Sequence, residues 1–88
     1  MDNKHKTDLL EKMARELEDI VNSQTSLLKK ISQLEAENMN LGNMVLEKRL
    51  PDIHAKVDEG ITEINLVIQE FTVLKDKFIA ENPVTEET

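Results

Sequence analysis

Cysteine, tryptophan and tyrosine are absent from this chain of 88 residues, and two phenylalanines supply all of its aromatic content. Without thiols it has no disulfides and no thiolate metal ligands. The usual extracellular means of stabilising a small domain is therefore missing, which favours an intracellular protein. With so few large apolar side chains, a chain of this length builds one domain at most and has no room for an enclosed active site. No apolar run of about 18 residues occurs, and the N-terminal segment MDNKHKTDLL lacks the apolar stretch of a signal peptide. The expectation is a soluble protein without a membrane span. Positive charge is also scarce, with eleven Lys and Arg against eighteen Asp and Glu and a net charge of -7. Such a surface repels phosphate backbones and anionic lipid headgroups, so nucleic acid is not an expected partner.

Catalytic motifs are missing as well. There is no Cys nucleophile, no G-x-S-x-G, no phosphate-binding glycine loop and no H-E-x-x-H. The chain is read as non-enzymatic, with no cofactor and no small-molecule substrate. His5 and His54 are its only imidazoles. His54 and Asp58 lie one helical turn apart and offer two ligands, fewer than a metal site needs, so no metal is expected and the pair is read as solvated helix surface.

Two glycines and two prolines in a chain that is 33% charged leave little to interrupt long exposed helices. Residues 1–6 are polar and read as a frayed N-terminus, with Thr7 and Asp8 as the capping hydroxyl and first-turn carboxylate of a helix. From there a seven-residue pattern sets in. Its a positions are Leu10, Leu17, Gln24, Ile31, Asn38 and Val45, and its d positions are Met13, Ile20, Leu27, Leu34, Leu41 and Lys48. Only Gln24, Asn38 and Lys48 among these are polar, and a 3.5-residue repeat sustained over several turns is what makes helices supercoil around one another. Leu9, Val21, Leu28 and Met44 widen the stripe, which suits three or four helices better than two. The polar run Asn22–Ser26 favours turns locally, yet Ile20 and Leu27 keep their phase across it, so a continuous helix is expected.

Gly42 costs about 1 kcal/mol inside a helix and offers fraying or a C-cap. Pro51 is the firmer break: it lacks the backbone donor and disfavours helix at Leu50, which places the end of the first helix at residue 50 and the start of a second at 51. The first register, extended beyond Pro51, falls on polar or small residues, so two helices are expected rather than one rod. The second helix, 51–80, carries Ile53, Val57, Ile61, Ile64, Ile68, Phe71, Leu74 and Phe78 at spacings of three and four. Residues 81–88 are acidic and polar with a proline among them, and read as a disordered tail.

The stretch Leu34-Glu-Ala-Glu-Asn38-Met-Asn-Leu41 resembles the asparagine-containing heptads of leucine zippers. The resemblance implies a seam amide at Asn38 that pairs with its symmetry mate and fixes register. The other reading is that Asn38 opens a weak Asn-Gly segment. A zipper that reads DNA needs a basic region ahead of its coil, and residues 1–9 hold only Lys4 and Lys6 as cations.

The expected fold is all-α: a long amphipathic, coiled-coil helix over 7–50 followed by a second amphipathic helix over 51–80, as a hairpin or bundle subunit that is oligomeric. Leu10, Met13, Leu17, Ile20, Leu27, Ile31, Leu34, Asn38, Leu41 and Val45 form the expected oligomer interface. Residues 53–78 of the second stripe pack within the bundle or on a partner. The expected function is protein–protein association, as an oligomerisation or adaptor subunit pairing with itself or with other helical proteins. The alternative is a small regulator that docks its second helix in a groove through Ile64, Ile68, Phe71 and Phe78.

Overall fold

The computed structural model describes residues 2–83, within which the chain forms two helices: α1, Asn3–Leu41, and α2, Met44–Glu81. They pack antiparallel as a hairpin measuring 65 × 20 × 17 Å. The helix start expected at Thr7 lies instead at Asn3, because Asp2 is the N-cap and accepts a hydrogen bond from the His5 backbone N–H at 2.7 Å. The run Asn22–Ser26 is helical, as its preserved phase predicts, and so is the stretch 61–74, whose Ile, Val and Thr content makes a strand the competing reading but whose spacing lacks strict alternation. Residues 84–88 of the expected acidic tail lie outside the described residues, whereas Glu81 ends α2.

The break between helices falls at Gly42 and Asn43, nine residues ahead of its expected place. Gly42 has φ 71° and ψ 29°, the left-handed conformation that closes helix C-termini, and donates its N–H to the Asn38 carbonyl at 2.7 Å. Asn43 then caps α2, its side-chain oxygen accepting from the N–H groups of Val45 at 3.0 Å and Leu46 at 3.1 Å. Asn38, 6% exposed, ties the two ends together: its Oδ1 accepts from the Asn43 N–H at 2.9 Å and its Nδ2 donates to the Asn43 carbonyl at 3.0 Å. Both ends of the amide are thus engaged within the chain.

Pro51 sits inside α2, and the helix runs through it without the bond its nitrogen would have donated to the Glu47 carbonyl. A proline in a helix interior costs about 3 kcal/mol. Turning at 42–43 outweighs that cost because it makes the arms 39 and 38 residues long, so each covers the other's stripe from end to end. A turn at Pro51 leaves one arm overhanging. Gly42→Ala forces a Cβ into a left-handed backbone and is expected to lower stability by about 1 kcal/mol in chemical denaturation. Nothing lies within 4 Å of that Cβ, so the cost is one of backbone conformation alone.

The inward positions alternate at three and four residues in both helices. On α1 they are Thr7, Leu10, Ala14, Leu17, Val21, Gln24, Leu28, Ile31, Glu35 and Asn38. On α2 they are Leu46, Leu50, His54, Val57, Ile61, Ile64, Ile68, Phe71, Lys75 and Phe78, with Asn82 just past the helix end and Gly60, Thr72 and Ile79 half-buried beside them. Ile31 and Leu50, each 7% exposed, are the only buried apolar residues among those described, and no side chain falls below 2%. Two helices have only each other to lean on. The Oγ1 of Thr7 and the Oε1 of Gln24 are buried without a hydrogen-bond partner among the described residues, small defects in a thin core. At the open end Lys6 Nζ lies 5.0 Å over the Phe78 ring, and Asn3 Nδ2 donates to Asn82 Oδ1 at 3.4 Å.

Candidate interaction face

The apolar stripe of α1 is wider than α2 can cover. Of the positions expected to form an interface, Leu10, Leu17, Ile31 and Asn38 turn toward α2. Met13, Ile20, Leu27 and Leu34 remain 39–47% exposed, and Leu41 and Val45 stand open at the turn. On α2, Val57, Ile61, Ile64, Ile68, Phe71 and Phe78 turn toward α1, whereas Ile53, Val67 and Leu74 remain exposed. Each helix therefore divides its stripe into a covered row and an open one.

Both open rows lie on the same side of the hairpin. Residues seven apart share an azimuth in such a pairing, so Lys6, Met13, Ile20, Leu27, Leu34 and Leu41 form one row and Leu50, Val57, Ile64, Phe71 and Phe78 another. The Lys6–Phe78 contact brings those two rows together on one side. Gln24, next to the Met13 row, reaches Gly60 on that same side, where a Cβ built on the glycine meets Gln24 Nε2 at 3.3 Å. Gly60 belongs to the row Ile53, Gly60, Val67 and Leu74. The opposite side is closed by His54, whose Nδ1 donates to Glu35 Oε1 at 2.8 Å. Two exposed apolar rows thus run side by side along one flank. The corresponding rows on the opposite flank are polar over their middle, with Glu11, Glu18, Thr25 and Ser32 on α1 and Asp58, Asn65 and Thr72 on α2, and apolar only at their ends, at Met39, Met44, Pro51 and Ile79.

Charged residues rim the apolar flank. Glu16, Lys30 and Glu37 follow its outer edge on α1, and Arg49, Lys56, Glu63, Glu70 and Lys77 follow it on α2, all exposed. Beyond the turn end, Met39, Met44 and Val45 add exposed apolar surface. A shallow depression of 230 Å³ beside the turn is lined by Glu35, Asn38, Leu46 and Leu50 among others.

His54, read from the sequence as solvated surface with Asp58, is instead half-buried and pairs with Glu35 on the other helix, nineteen residues away. No local spacing rule reveals such a pair. Among the described residues no three His, Cys, Asp or Glu side chains are grouped to hold a metal ion, and no helix is long and apolar enough to cross a membrane. Ile64, Ile68, Phe71 and Phe78, the anchors of a docking second helix, are half-buried against α1. Outward docking by α2 would have to use Leu66, Val67, Val73 and Leu74 instead. No family model matches the sequence, and no curated protein and no solved structure is significantly similar to it.

Proposed function

We propose that the protein acts by association: it is a helical hairpin that presents one long apolar flank to the helices of another subunit, as an oligomerisation or adaptor element of a larger coiled-coil or bundle assembly. The carrying observation is the sidedness of the hairpin. Met13, Ile20, Leu27 and Leu34 line up with Ile53, Val67 and Leu74 on one flank while the opposite flank is largely polar. Scattered exposed apolar residues are ordinary, but two adjacent rows extending over several heptads form a contiguous patch of the kind that marks interaction sites. The core points the same way. A hairpin with two buried apolar residues and no fully buried side chain has little stability of its own, and a layer of helices on the open flank completes it. Chemistry at a site plays no part in this reading, which is non-enzymatic and needs no cofactor.

The test is capture of partners from the native cell by the full chain and by its Ile20→Glu/Leu27→Glu variant. The parent chain is expected to retain a stoichiometric helical partner, itself or another protein. The variant is expected to lose that partner and to melt at a lower temperature than the bound parent, while its circular dichroism below that melting point stays helical, because both side chains are exposed in the hairpin. A parent chain recovered monomeric and alone would overturn the proposal.

A further inference from the structure

The open flank is self-complementary. In the α1 row, Met13 and Leu34 are equidistant from the point between residues 23 and 24, as are Ile20 and Leu27. In the α2 row, Ile53 and Leu74, and likewise Gly60 and Val67, are equidistant from the point between residues 63 and 64. Gln24 and Gly60 lie level with each other, so the two midpoints fall within about one helical turn along the hairpin. Over residues 13–34 and 53–74 such a surface meets its own copy, turned end over end, apolar row on apolar row, with Lys6 of each copy over Leu41 of the other at the ends of the α1 row.

Resting on the association reading above, we propose that the occupant of this flank is a second copy of the same chain. It docks antiparallel, α1 on α1 and α2 on α2, in a four-helix bundle whose two-fold axis crosses the interface near Gln24 and Gly60. The rows span α1 from residue 13 to residue 34, on the order of 32 Å at 1.5 Å per residue. Across the 20 Å width of the hairpin this makes an area of roughly 640 Å² per copy, at the lower end of the ~600–1,000 Å² per partner that stable interfaces bury. Closed two-fold pairing is also the commonest way for one chain to cover its own apolar surface.

The rim charges choose the orientation. With the turns at opposite ends, Glu16 meets Lys30 of the second copy and Lys56 meets its Glu70, each pair occurring twice by symmetry. Against these, Glu63 meets itself near the axis, and Arg49 meets Lys77 at the ends of the bundle. With the turns at the same end, α1 lies on the other copy's α2. Glu16 then faces Glu70 and Lys30 faces Lys56, and only Glu37 with Arg49 is favourable. Exposed pairs contribute little to affinity, but opposed like charges discriminate between alignments.

Sedimentation equilibrium on the full chain and two charge variants tests this. The parent is expected to sediment at twice its 10.1 kDa mass in the micromolar range. Glu16→Lys is expected to raise the dissociation constant about tenfold, the effect of some 1.4 kcal/mol. The exchange Glu16→Lys/Lys30→Glu is expected to return it to within about threefold of the parent. A parent that stays monomeric at 100 μM, a Glu16→Lys variant that binds as tightly or more tightly, or an exchange that fails to rescue would each overturn the antiparallel pair. A monomer that still captures a different protein through Ile20 and Leu27 overturns self-pairing and leaves the association reading in place. A monomer that captures nothing removes both.

Discussion

Asn38→Val is expected to destabilise the hairpin by about 2 kcal/mol, a fall of roughly 10 °C in melting temperature for a chain of this size. The side chain it removes holds the N–H and the carbonyl of Asn43 together at 2.9 and 3.0 Å. Those bonds link the last turn of α1 to the cap of α2. Without the amide, Asn43 keeps its own capping bonds to Val45 and Leu46 but loses the tie that sets where α2 departs. Valine returns some apolar burial at a position 6% exposed, which keeps the loss from being larger. Asn40→Val is the control, since Asn40 is exposed two residues further on and has nearly the same helix propensity to lose. It is expected to shift stability by less than about 0.5 kcal/mol. A gain in stability at Asn38→Val would mean that the amide is a desolvated seam group paired between chains, and that the turn is held by Gly42 and Asn43 alone.

That contrast marks where the sequence is legible. The helices follow from a 3.5-residue periodicity that survives even the polar run Asn22–Ser26, because phase over many turns is a collective signal that local propensity barely disturbs. Their boundary does not follow so directly. Pro51 is the stronger local breaker, whereas the turn at Gly42 and Asn43 wins through quantities that appear only when both arms are paired: equal lengths, an amide clamp and a left-handed glycine. Which part of the stripe turns inward is also invisible in one sequence. Ala14, Val21 and Leu28 are half-buried toward α2 while Met13, Ile20 and Leu27 stay 39–47% exposed, yet on a helical wheel both rows flank Leu10, Leu17 and Ile31 equally. The choice depends on the register of the other helix. Lys75 occupies an inward position that no hydrophobic pattern marks, its long aliphatic stem being able to lie along apolar surface while the ammonium reaches water. Glu35 with His54 escapes for the same reason, as partners brought together by the turn and not by spacing.

Ile31→Ala and Leu27→Ala separate the covered row from the open one. Ile31 is 7% exposed against α2, so truncation removes buried methyls and leaves a void, and a loss of about 2–4 kcal/mol is expected at any protein concentration. Leu27 is 47% exposed in the hairpin, so the same truncation there removes side-chain surface that water already reaches. In a lone hairpin the loss is expected to stay below about 1 kcal/mol, and alanine's higher helix propensity offsets part of it. When a second pair of helices covers the flank, Leu27 becomes a core residue and its truncation costs as much as that of Ile31. Thermal melts across a thousandfold range of concentration therefore distinguish the two rows. The gap between parent and Ile31→Ala is expected to be constant. The gap between parent and Leu27→Ala is expected to open as concentration rises, because association contributes to stability by mass action only while the partner is bound. A Leu27→Ala gap that stays small up to the highest concentration would leave the flank uncovered by this chain's own copies.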